Sequence, residues 1–501
     1  MAPSIKSRRR LATGVSGLDE VLNGGLPAGH LYLIEGDPGT GKTTIALKFL
    51  LTGVRENESV LYVTLSESKS ELLMVGETHG WNMKGLPIFE MTPVEEELSP
   101  EAQYTVFHPS EVELGDTIAS ILKEVDRLKP TRVVFDSLSE LRMLARDPLR
   151  YRRQVLGLKR YFSDRDCTVV LLDDRTSDSK DLQLQSIAHG VIMLQSLDRD
   201  FGVKRRRLEV RKLRGSRFRE GFHDFTIETG GLEVSPRLVA AEHKPGFKRQ
   251  PISSGLPELD KLLGGGIDTG TSTLLLGPSG AGKSTVALRY VYAALERGEC
   301  VSMFAFDEAV PTMLFRLNSL GLHLQPYIDS GKFIVHQVDP AELSPGDFVS
   351  RVRVDVEEHK ATIVLIDSMN GLLTSMPDEK FLSLQLHELF SYLGQQGVVT
   401  LVTLAQHGFF GTGMQTPIDI SYLADTVILC RYFESGGVIK QAISVLKKRS
   451  GMHERAIREL ILANGQIRIG QQLRDFEGVL TGTPSFVGTV QTLNESERES
   501  R

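Results

Sequence analysis

Two glycine-rich segments, 241 positions apart and each closing on Gly-Lys-Ser/Thr, constrain this chain more than any other feature. The first is Gly36-Asp37-Pro38-Gly39-Thr40-Gly41-Lys42-Thr43, with Thr44 next. The second is Gly277-Pro278-Ser279-Gly280-Ala281-Gly282-Lys283-Ser284, with Thr285 next. An apolar run precedes each (Leu31 to Ile34; Thr273 to Leu276), and a helix-like stretch follows. Strand, loop, helix is the setting in which GxxxxGK(S/T) cradles phosphate. The glycines let backbone N–H groups turn inward around anionic oxygens. The helix N-terminus adds its dipole. Lys42 and Lys283 are expected to reach the terminal phosphates, and the hydroxyls of Thr43 and Ser284 to hold Mg²⁺. ATP and Mg²⁺ are therefore the expected cofactors.

The repetition extends beyond the loops. Leu18–Leu26 aligns with Leu259–Ile267, and Val60–Glu67 with Val301–Glu308, both at the same offset of 241. Arg132–Ser137 aligns with Thr362–Ser368 at a smaller offset, and Lys212-Leu213-Arg214 with Lys447-Lys448-Arg449. A constant offset that then drifts is what loop insertions in one copy produce. A period this long means two whole domains rather than a solenoid. The expected division is a basic arm over 1–10, a first ATPase domain over 11–242, a second over 243–485 and a disordered tail over 486–501. Short, continuously apolar strands (Val60–Leu65, Val133–Phe135, Thr168–Leu172, Val191–Leu194) alternate with helix-length stretches such as Thr44–Val54 and Asp116–Leu128. That pattern predicts an α/β fold: two tandem P-loop domains, each a mostly parallel sheet covered by helices on both faces. Arg207–Arg214 with Phe222–Glu228, and Ile439–Lys447 with Ala456–Leu462, read as hairpin extensions.

Bulk properties narrow the function. The 501 residues are 41% hydrophobic and 24% charged, with a net charge of −6, which argues against a general nucleic-acid binder. No apolar run approaches the roughly 20 residues of a membrane span. Three scattered cysteines show neither zinc spacing nor a disulfide framework, so a cytoplasmic setting is expected.

Splitting a phosphoanhydride needs a metal, a positioned nucleophile and positive charge on the transferred group. Asp136 and Asp367 end apolar strands, where a carboxylate can hold the metal's water shell; Glu308 is a further metal candidate. Glu67 and the pair Asp307-Glu308 also terminate strands, where a carboxylate can act as general base. Their bland alternative is a helix cap or a surface acid. Lys212 with Arg214, and Lys447 with Arg449, alternate along a strand and so share a face. They could serve as fingers on a neighbouring subunit's phosphate, the alternative being a solvated strand edge.

The order SGLDEVLNGGLP, GDPGTGKT, a strand ending in acid, FDSLSEL and KLRGS, duplicated in one chain, resembles KaiC, a two-domain clock ATPase family of the RecA-like superfamily. The stretches Asp425–Leu429, Ala456–Leu460 and Phe476–Pro484 strengthen the likeness. The resemblance implies a homohexameric double ring with ATP between subunits, hydrolysis in the first ring, and serine/threonine autokinase and autophosphatase activity in the second. It also implies basic pairs acting across the interface, and KaiB-like or histidine-kinase signalling partners. Departures occur at the phosphoacceptor pair, where Ser421 is kept and Tyr422 replaces Thr. They occur also at the paired glutamates, which are Ser66-Glu67 and Asp307-Glu308 here. A signalling ATPase with Ser421 as sole acceptor is the resulting expectation. The competing readings are a nucleotide-gated scaffold with little turnover and a RecA-type DNA-dependent recombinase. The recombinase would need a basic DNA loop, yet the only suggestive segment, Gly408–Gly413, has no Lys or Arg.

Overall fold

A computed structural model describes residues 9–91, 109–145, 147–174, 183–198, 202–243, 246–339, 341–375, 382–406, 422–463, 465–479 and 485–487. The chain divides between Arg237 and Leu238 into two compact units. Ser421, the Gly408–Gly413 segment and the tail from 488 lie outside the described residues.

The first unit is built on a nine-stranded sheet. In chain order its strands are β1 Leu31–Gly36, β2 Val60–Thr64, β3 Ile88–Glu90, β4 Arg132–Asp136, β5 Thr168–Asp174, β6 Gly190–Leu197, β7 Arg205–Leu213, β8 Phe222–Glu228 and β9 Gly231–Ser235. In space the order is β9-β8-β7-β6-β1-β5-β4-β2-β3. The six strands from β6 to β3 are parallel, and β7, β8 and β9 add on antiparallel. β1, β2, β4 and most of β5 are buried along their length, which explains why their central residues are apolar. On one face, Tyr32, Ile34 and Val170 pack against Ile45, Phe49 and Leu50 of helix α1 (Lys42–Arg55). On the other, Leu33, Val133 and Leu171 meet Leu138, Tyr151, Val155 and Phe162 of the helices that follow β4.

The second unit repeats this plan. Its strands are β10 Ser272–Gly277, β11 Cys300–Ala305, β12 Phe333–Gln337, β13 Ala361–Asp367, β14 Val399–Ala405, β15 Thr426–Ser435, β16 Val438–Lys448, β17 Arg458–Ala463 and β18 Gln466–Gln472. The spatial order, β18-β17-β16-β15-β10-β14-β13-β11-β12, is that of the first unit strand for strand. The two hairpin extensions read from the sequence are present as β7–β8 and β16–β17. Each gains a third strand, β9 or β18, which the sequence reading did not anticipate. The helix expected from Asp116 starts earlier, at Pro109, because a proline is well tolerated in a first helical turn.

Candidate functional site

Both phosphate loops sit at the carboxyl end of a central parallel strand, where an open α/β sheet binds ligands. β1 runs into Gly36 and β10 into Gly277, and the helix starts at the loop lysine in each copy. Gly41 and Gly282 occupy the left-handed region with φ of 97° and 96°. A Cβ at Gly41 would also come 2.8 Å from Ile227, and one at Gly282 2.7 Å from Leu460, so both backbone and packing demand glycine here. Lys42 Nζ donates to the carbonyls of Gly36 at 2.9 Å and Asp37 at 3.0 Å. Lys283 Nζ donates to Pro278 O at 2.8 Å, and burial lowers its pKa.

The strand-terminal aspartates meet the loop hydroxyls. Thr43 Oγ1 donates to Asp136 Oδ2 at 3.0 Å, and Ser284 Oγ donates to Asp367 Oδ1 at 3.0 Å. Tyr62 gives Asp136 a second donor, and Thr403 does the same for Asp367. Burial raises the pKa of both carboxyls despite these donors. A hydroxyl beside a carboxylate is the protein share of an Mg²⁺ site whose remaining ligands are phosphate and water. Among the described residues, no group of three or more His, Cys, Asp or Glu could hold a metal ion.

Glu67 is positioned by its own turn. Thr64 Oγ1 donates to Glu67 O and accepts from Glu67 N, and a capping box between Ser68 and Glu71 starts the next helix, Lys69–Thr78. Glu67 Oε2 is buried and has no hydrogen-bond partner among the described residues. Burial, then the carboxylates of Asp136, Glu71 and Asp174, raise its pKa. In the second unit Asp307 accepts a hydrogen bond from Ser368, and Glu308 is gripped by Arg316.

The basic pairs lie elsewhere. Lys212 stands opposite Val191 on β6, whereas Gly36 of the loop is level with Leu194 on the same strand. The separation is about 10 Å along the strand, before lateral strand spacing is added, so neither side chain reaches its own loop. Lys212 donates to Gln185 O, and Arg214 to Ser186 O at 2.8 Å. Lys159, which the sequence reading did not single out, donates to Ile187 O at 2.7 Å. Three cations thus gather on successive carbonyls; burial and mutual repulsion lower the pKa of both lysines. In the second unit Lys447 donates to Ala424 O at 2.7 Å and Arg449 to Tyr422 O at 2.9 Å. Each strand ends one residue before its arginine, at Leu213 and Lys448. The arginine of each pair therefore lies in the turn that follows, outside the strand alternation read from the sequence.

Asp174 was also missed. It ends β5 level with Gly36 and forms an ion pair of 2.7 Å with Lys42. The register places Ala405 at that point in the second unit. The signal that picked out Asp136 and Glu67, an acid ending an apolar strand, is also present at Asp174, but the sequence reading did not apply it there.

These loops, hydroxyl–aspartate pairs and RecA-like sheets define a tandem P-loop nucleotide-binding protein. The chain belongs to the KaiC ATPase family, whose family model matches it twice, over residues 11–239 and 252–474. It is 27% identical over 499 residues to the circadian clock oscillator protein KaiC of Parathermosynechococcus lividus, covering 97% of this chain and 90% of that protein. The circadian clock oscillator protein KaiC of Synechococcus elongatus is 26% identical, covering 98% and 94%. The circadian clock protein KaiC3 of Synechocystis sp. is 27% identical, covering 95% of each chain. No helix among the described residues is long and apolar enough to cross a membrane.

Proposed function

We propose that this protein is a cytoplasmic, self-assembling signalling ATPase that hydrolyses ATP at two chemically distinct sites. The observation that carries the reading is the loop hydroxyl bonded to a strand-terminal aspartate at 3.0 Å in both units, beside a loop lysine. Lys42 and Lys283 bind the terminal phosphates, and the loop N–H groups orient them. Mg²⁺, held through Thr43 with Asp136 and Ser284 with Asp367, neutralises charge on the phosphates when bound. Glu67 and Glu308 accept the proton of the attacking water. Asp307 supports the second site through Ser368.

The basic pairs act on a neighbouring protomer. Their distance from their own loops supports this role, and it requires a closed ring of head-to-tail contacts, a homohexamer in this reading. Autokinase activity on Ser421 and recognition by a KaiB-like or histidine-kinase partner belong to the same proposal.

The test is ATP turnover by Lys42→Ala, Lys283→Ala and the double variant, with intact-mass detection of phosphate. Each single variant should lose one component of turnover and the double variant all of it. Undiminished turnover in the double variant would sink the reading. Phosphate label that persists in Ser421→Ala would remove that acceptor.

A further inference from the structure

The units differ at one side chain that touches both the strand-terminal glutamate and the loop helix. Arg316 lies on helix α2, named here for Val310–Asn318. It donates from Nε to Glu308 Oε1 at 3.1 Å and from Nη2 to Oε2 at 2.6 Å. Its Nη1 donates to Thr285 Oγ1 at 3.0 Å. Thr285 follows the metal-side hydroxyl of Ser284, so one guanidinium ties the glutamate to the helix that begins at Lys283. At the matching position of the first unit, 241 residues earlier, stands Val75, whose side chain has no donor. There Glu67 Oε2 is buried and has no hydrogen-bond partner among the described residues.

We infer that Arg316 is a positioning residue that restrains Glu308 and slows hydrolysis in the second unit. The inference rests on the reading of Glu308 as that unit's base. A planar guanidinium matches a carboxylate at two points, and both bonds are charge-assisted. A base must turn an oxygen towards the water proton it accepts. Glu308 has both oxygens committed to Arg316, and turning one towards the phosphates breaks the fork. The third contact, to Thr285, resists movement of the fork itself. The second site therefore holds ATP for longer per turnover than the first, which suits a unit whose nucleotide state is to be read by a partner. The pair is only partly shielded, at 33% and 30% side-chain exposure, so it can open.

The experiment uses the full chain carrying Lys42→Ala, which silences the first unit, and compares Arg316 with Arg316→Val, Arg316→Gln and Arg316→Lys. Binding of a fluorescent ATP analogue reports that the second site is folded. Arg316→Val and Arg316→Gln should raise kcat by about five- to tenfold with KM for ATP little changed, a pattern that loss of packing does not give. Arg316→Lys, which keeps charge but not the fork, should fall between. A kcat that is unmoved or reduced overturns the restraint. Glu308→Gln in the same background separates the two ideas. If turnover survives that substitution, the base assignment fails and the restraint falls with it. If turnover is lost there but unmoved by Arg316→Val, only the restraint fails.

Discussion

Asp174 shows how one side chain separates two otherwise matching loops. In the first unit the loop lysine has a carboxylate partner at 2.7 Å; in the second, Ala405 stands level with the loop instead. Phosphate must displace that carboxylate from Lys42 and tolerate its charge nearby. Asp174→Ala should therefore tighten ATP binding to the first unit by about three- to tenfold, the order expected for removing one partly exposed competing charge. Equilibrium titration in a Lys283→Ala background measures it; weaker binding would mean that Asp174 instead orients the lysine productively. The loop residues were legible because backbone geometry dictates glycine and chemistry dictates lysine at fixed spacing. Asp174 was not, since only the β1–β5 register brings it to Gly36.

The antiparallel extension is stabilised by different means from the parallel core. His223 on β8 is fully buried; its Nδ1 accepts from Arg237 N at 2.8 Å, so Nε2 carries the proton and donates to Arg219 O at 3.0 Å. Burial depresses its pKa to about 4. The folded state thus keeps the ring neutral where the unfolded chain, titrating near 6.5, takes up a proton. The stability it protects is fully present above about pH 6.5 and is lost as pH falls towards 4, to a total of about 3 kcal/mol. Urea melts at pH 7.5 and 5 should show a smaller acid loss in His223→Gln than in the parent chain; an equal loss would remove His223 as the cause. The hairpins themselves were legible as segments of the sequence. Their third strands were not, because β9 and β18 owe their pairing to the neighbour they complete.

At the scale of the whole molecule, the strand orders of the two units coincide, so the side-chain differences between the described sites are set on the same strand topology. The basic pairs lie away from their own loops, and the proposal that they act between chains has a direct test. Mixing Lys42→Ala chains with chains carrying Lys212→Ala and Arg214→Ala, all in a Lys283→Ala background, should restore activity that neither has alone. Random closed rings would recover it at about a quarter of first-unit interfaces. No recovery on mixing would refute action in trans.

The repeated motifs alone determined two phosphate-binding α/β domains, since spacing, glycine and apolar runs are local properties carried along the chain. Which groups meet was decided by tertiary structure. Lys42 finds Asp174, Glu308 finds Arg316, and Lys159 joins Lys212 only after strands and helices distant in sequence are packed together. Electrostatic partnership depends on distance in space, and a one-dimensional pattern does not encode that distance.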